Sequence, residues 1–101
     1  MIKWASEDRF YELELYVSGD SFVSERAIAS VQDLCEKVLK DHYRLEIIDL
    51  QEEPMKAMSE NIVAIPTLFR RSPKPERQII GDLQNEQRVL MGLGIRVRRP
   101  Q

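Results

Sequence analysis

One cysteine, one histidine and one tryptophan stand among 101 residues, with four glycines and no long apolar run. Each scarcity excludes something. A lone Cys35 cannot close an internal disulfide, which points to a reducing, cytoplasmic compartment. It also rules out a Cys-x-x-Cys redox pair. A lone His42, with no cluster of His, Cys or carboxylates at ligand spacing, argues against a metal site. Gly19 is isolated and no G-x-x-x-x-G-K string exists, so no phosphate loop or nucleotide cofactor is expected. No stretch reaches the roughly 18 apolar residues needed to span a bilayer. Lys3, Glu7, Asp8 and Arg9 interrupt any N-terminal signal-like run, so no leader peptide is expected. Aromatics make up 7% of the chain and its pI is about 5.4, so the signal for nucleic-acid binding is weak, and it stands only as an alternative through the basic C-terminal segment.

What remains is ordinary globular material, 43% hydrophobic and 32% charged, sized for one domain. The net charge of −2 conceals a polarity. Residues 1–69 hold 14 acidic and 7 basic side chains, a net of −7, and residues 70–101 hold 3 and 8, a net of +5. Such a dipole can steer an acidic partner or let copies pair head to tail.

Residues 1–9 read as a flexible leader, 10–94 as one folded domain and 95–101 as a basic tail carrying Arg96, Arg98 and Arg99. Phe10–Val17 alternates, with Tyr11, Leu13, Leu15 and Val17 on one face, and predicts a strand. Gly19 breaks it, and Ser21 or Ser24 is suited to cap the next helix. From Ser24 to about Asp41, Ala27, Ile28, Val31, Leu34, Cys35, Val38 and Leu39 form one helical stripe, which makes Cys35 a buried hydrophobe. Tyr43–Leu50 predicts a second strand, apolar enough to suggest a central place in the sheet. Gln51-Glu52-Glu53-Pro54 opens a short helix with Met55 and Met58 as its apolar contacts. Ala64–Phe69 and Arg77–Ile80 predict a hairpin around Ser72-Pro73-Lys74-Pro75. Gly81-Asp82 makes a turn, and Asn85 caps a last helix that Gly94 ends. The order is βαβαββα, an α/β chain whose first two strands should be parallel.

That order, with Ile65-Pro66-Thr67-Leu68 before a strand, resembles a thioredoxin-like domain. The resemblance implies a cis Ile65–Pro66 bond. Such domains carry reactive cysteines after the first strand, where this chain has Asp20-Ser21-Phe22-Val23. A glutathione-using enzyme of that superfamily could use Ser21 or Tyr16, but a capping serine and a strand tyrosine explain both. A scaffold without its nucleophile suggests a domain that binds. Catalytic residues and cofactors are therefore not expected.

Leu15-Tyr16-Val17-Ser18-Gly19, Arg26-Ala27, Ile48-Asp49-Leu50, Pro66-Thr67-Leu68, Ile79-Ile80-Gly81-Asp82-Leu83 and Val89-Leu90-Met91-Gly92-Leu93 together resemble the KaiB circadian clock family, over about residues 10–93. The resemblance implies a non-enzymatic regulator that binds a KaiC-type ATPase ring. The setting is circadian timing or a related bacterial stress or signalling pathway. It implies a fold switch, from a ground state whose C-terminal half is rearranged to βαββααβ, and a homo-oligomer, dimer or tetramer, when free. Partner-contacting positions carried over from the family are Arg26, Tyr43, Arg70 and Arg77, with Gly19, Pro66, Gly81 and Asp82 structural. The chain departs from the family pattern at Pro73-Lys74-Pro75, at Gly94, where the family often has Asp, and in its basic tail.

Overall fold

Alternation along Tyr11–Val17 places four apolar side chains on one face of the first strand, and that face organises the domain. The computed structural model describes residues 9–95. β1 (Tyr11–Val17) leads through α1 (Phe22–Leu34) to β2 (Tyr43–Asp49). A short α2 (Met55–Ser59) precedes the hairpin of β3 (Thr67–Ser72) and β4 (Arg77–Ile80), and α3 (Glu86–Leu93) closes the chain. The sheet order is β2-β1-β3-β4, with β1 parallel to β2 and antiparallel to β3, and β3 antiparallel to β4. This is the expected βαβαββα order. The Ile65–Pro66 bond is cis, as are Ser72–Pro73 and Lys74–Pro75.

The main core lies between one sheet face and α1 with α3. Tyr11, Leu13, Leu15 and Val17 meet Ala27, Val31 and Leu34 of α1 and Val89 and Leu93 of α3. Ser21 caps α1, its hydroxyl accepting from the Ser24 N–H, and Asn85 caps α3 through the Arg88 N–H. α1 runs into a π-helical turn, Cys35–Leu39, that ends where Lys40 takes φ 48°. The wider turn keeps both Cys35 and Leu39 inward. Burial pushes the Cys35 thiol up to about 12, with Glu36 adding to the effect.

Two expectations need correction. β2 is an edge strand, not a central one. Its apolar run serves two faces: Leu45 packs on the main core, Ile48 on a smaller cluster behind the sheet, and Ile47 is left exposed. Met55 and Met58 are also exposed rather than packed. α2 has five residues and buries none. Leu50 and Ile62, flanking it, cover Tyr16, Ile48 and Phe69 instead. The expected leader and basic tail lie outside the described residues, apart from their inner ends Arg9 and Ile95. No helix among the described residues is long and apolar enough to cross a membrane.

Candidate functional site

The loop after β1 is closed by its own hydroxyls. The Ser24 N–H donates to Ser21 Oγ (3.1 Å), and Ser21 Oγ donates to Ser24 Oγ (3.0 Å). Ser24 Oγ donates in turn to the Ser18 carbonyl and accepts from the Ser18 N–H, both at 3.2 Å. Gly19, at φ +67°, donates its N–H to Asp49 Oδ1 (2.8 Å). A Cβ there would come within 2.7 Å of the Gln51 side chain. The two serines are thus occupied in capping α1, while the intervening Phe22 and Val23 point outward, 69% and 59% exposed.

A groove of about 340 Å³ lies beside them, and it gathers Arg26, Pro66, Gly81 and Asp82. Arg26 Nη2 donates to Gln84 Oε1 (2.6 Å) and its guanidinium rests 5.3 Å from the Phe22 ring centroid. The Gly81 N–H donates to the Pro66 carbonyl (3.1 Å), and Thr67 Oγ1 to the Ala64 carbonyl (2.6 Å). Arg88 braces the far wall, donating to the carbonyls of Asp82 (2.6 Å) and Ile80 (2.8 Å).

Tyr43, Arg70 and Arg77 lie elsewhere, near the amino end of β1. Tyr43 pairs in register with Tyr11, Arg70 with Leu13, and Arg77 with Arg70. Tyr43 Oη donates to Glu36 Oε2 (2.6 Å), and this bond, aided by burial, raises its pKa to about 12. Arg70 is not the exposed hairpin charge that its flanking residues suggest. It is 3% exposed, donating to the carbonyls of Leu93 (2.8 Å) and Pro75 (2.7 Å). Burial, reinforced by the neighbouring Arg77 charge, lowers its pKa. Gly94, left-handed at φ +69°, makes room for both guanidinium groups: an added Cβ would lie 3.1 Å from Arg77 Nε and 3.2 Å from Arg70 Nη1.

Sequence reasoning missed Arg71. Alternation along β3 turns it to the opposite face from Arg70, where it meets the acidic face of β1. It bonds Glu14 Oε1 (2.8 Å), Glu60 Oε1 (2.6 Å) and Glu76 Oε1 (3.0 Å), and its guanidinium stacks 4.1 Å from the Phe69 centroid. Burial pulls its pKa down, but the Glu14 bond and the Glu14 and Glu60 charges more than reverse this, so the net shift is upward. The signal was Glu12 and Glu14 on the polar side of β1, which called for a cation. Tyr16, on this same face, is buried, donates to Glu14 Oε1 (2.9 Å) and meets Phe69 edge-on at 5.6 Å. Neither Tyr16 nor Phe69 is open to a ligand in this arrangement. Among the described residues no three His, Cys, Asp or Glu side chains are placed to hold a metal ion.

These features define a thioredoxin-like domain in which a self-satisfied helix cap stands at the position of the reactive thiols. The N-terminal domain of SasA from Synechococcus elongatus superimposes with a TM-score of 0.69 over 85% of each chain at 19% identity. Mitochondrial thioredoxin 3 from Saccharomyces cerevisiae does so with 0.66 over 88% of this chain and 81% of that one at 16% identity. The KaiB domain model matches residues 14–95. The "Circadian clock protein KaiB3" of Synechocystis sp. is 43% identical over 94 residues, covering 88% of this chain and 92% of that protein. The chain belongs to the KaiB family.

Proposed function

We propose that this chain is a non-catalytic, cytoplasmic KaiB-type regulator that binds a KaiC-type ATPase ring, in circadian timing or a related bacterial stress or signalling pathway. When free it is a homo-oligomer, dimer or tetramer, with its C-terminal half rearranged, and it switches to the thioredoxin-like state to bind. Family membership over residues 14–95 supports the partner class. The observation that carries the non-catalytic reading is the closed Ser18–Ser21–Ser24 hydroxyl circuit, which occupies the usual site of the nucleophile with hydrogen bonds. A glutathione-using alternative would need Ser21 or Tyr16, and both hydroxyls are committed.

Arg26, Tyr43 and Arg77 are the proposed partner contacts. Planar guanidinium forks and amphipathic tyrosines dominate interface energies. Arg70 acts from inside as a positioning residue, tying the hairpin to the end of α3. The test is light scattering of the chain alone and after hours with a KaiC-type ring and ATP. Co-migration with the ring, weakened by Arg26→Ala or Arg77→Ala, is expected. Arg70→Lys should retain more binding than Arg70→Ala. A chain that stays at its free mass in the presence of the ring overturns the proposal.

A further inference from the structure

Arg71 sits where the backbone pairing between β1 and β3 is interrupted. Leu13 stands opposite Arg70, but Glu12 stands opposite Ser72, so Arg71 is the extra residue of a β-bulge. A bulged residue is left out of the ladder, and the strands are held less firmly there by their backbones. The side chain supplies what the ladder lacks. Its three carboxylate partners come from three segments: Glu14 of β1, Glu60 at the end of α2 and Glu76 just before β4. In sequence they lie 57, 11 and 5 residues away.

The Glu14 bond is also set apart by its depth. Among the described residues, three side-chain hydrogen bonds join residues 11–49 to residues 67–93. Those from Arg26 to Gln84 and from Lys37 to Glu86 are exposed, and the one from Arg71 to Glu14 is partly buried. Beyond the bulge, the second half is tied to itself. Arg70 donates to the Leu93 and Pro75 carbonyls, which fastens the hairpin to the end of α3.

We infer that Arg71 is a clasp: one side chain that closes the bulged end of the β1–β3 pairing and sets how often the hairpin and α3 come away from β1 while α1, β1 and β2 stay folded. Glu14 is its anchor across the two halves, and Glu60 and Glu76 hold the guanidinium in line. The inference does not rest on the ring reading, and no ring enters its test.

The reporter is a thiol placed by Val89→Cys on α3, at a position fully buried in the native chain. Its labelling by a disulfide-exchange reagent, read at that peptide by mass, follows the release of α3. Arg71→Met should speed this labelling by roughly 30- to 150-fold, the scale of a charge-assisted hydrogen bond sheltered from water. Glu14→Gln should act in the same direction, and Arg71→Lys, which keeps a charge without the fork, should fall between parent and Arg71→Met. Glu60→Gln, a milder change nearer the rim, should speed labelling roughly two- to fivefold and keeps the test open if Arg71→Met fails to fold. Leu45→Ala serves as the contrast. Leu45 lies on the edge strand farthest from the hairpin, and its change should lower global stability while leaving the labelling rate within about twofold. Labelling of the Arg71→Met chain within about twofold of the parent, well below the scale of the lost bond, overturns the inference. So does Leu45→Ala speeding the thiol as much as Arg71→Met, since α3 would then be released only by unfolding of the whole chain. Glu76→Gln matching Glu14→Gln overturns it too, because the bond between the halves would then have no special part.

Discussion

Replacing Arg71 by methionine keeps a long side chain over Phe69 and removes the charge with its hydrogen-bond donors, so it isolates what the Arg71 carboxylate network contributes. Arg71 and Glu14 are 20% and 25% exposed, and their 2.8 Å contact is therefore largely shielded from water. A hydrogen bond to a charged group in such a setting contributes about 1.5–3 kcal/mol. Glu60 lies nearer the rim, and a pair of that exposure adds only about 0.2–1 kcal/mol. Losing the guanidinium also leaves Glu14 half-buried with, among the described residues, only the Tyr16 hydroxyl as donor. The expected destabilisation is about 2–3 kcal/mol. At about 4–8 °C per kcal/mol for a domain near 100 residues, Tm should fall by roughly 8–24 °C. Urea unfolding followed by circular dichroism measures it. A double-mutant cycle with Glu14→Gln should give a coupling of about 1–2 kcal/mol, since the two groups touch. An Arg71→Met chain within about 0.5 kcal/mol of the parent, the range of an ordinary surface substitution, refutes the reasoning. So does a coupling near zero.

Cys35 should be silent to a disulfide-exchange reagent in the native chain and react fully once denatured, because burial holds its thiol near 12; rapid native labelling would contradict this. Tyr16 is raised from 10.0 to about 12, mainly by burial. The unfolded chain therefore loses this proton first as pH rises, and stability that is intact below pH 10 should decline between 10 and 12 by about 2 kcal/mol. Denaturant midpoints across that window check the sign, and Tyr16→Phe should flatten the slope. Gly92→Ala would push a methyl into the Ile79 side chain. It should destabilise by about 1–3 kcal/mol despite the better helix propensity of alanine, a result read by the same unfolding curves.

Much of the fold was legible in the residues because local signals agreed with one another. The alternation of Tyr11–Val17, the cap at Asn85 and the stop at Gly94 each stand where the spacing placed them, and of the two serines suited to cap α1 it is Ser21 that does so. β2 misled because a run such as Leu45-Glu46-Ile47-Ile48 looks alike whether two neighbouring strands or two packed faces bury it. Met55 and Met58 misled because periodicity marks an apolar stripe without saying that anything covers it. At the site, Arg26, Pro66, Gly81 and Asp82 come together in one groove. Tyr43, Arg70 and Arg77 gather at the other end of the sheet. The acidic side of β1 called for a cation, but nothing in the Arg70-Arg71 pair itself said which of the two would meet it and which would be buried. Adjacent positions on a strand face opposite ways, and which face is wet depends on what the far end of the chain lays over it.

β1 bonds to a parallel neighbour from the first half of the chain on one edge and to an antiparallel neighbour from the second half on the other. The two halves therefore share one spine. Parting β1 from β3 would unzip a single antiparallel seam and leave the pairing of β1 with β2 complete. Deuterium exchange should register this as a hierarchy. Amides of β1 and β2 that bond each other should be slow to exchange, and those across the β1–β3 seam should exchange together and earlier. The hairpin and α3 would then let go as one cooperative unit while the N-terminal half stays closed.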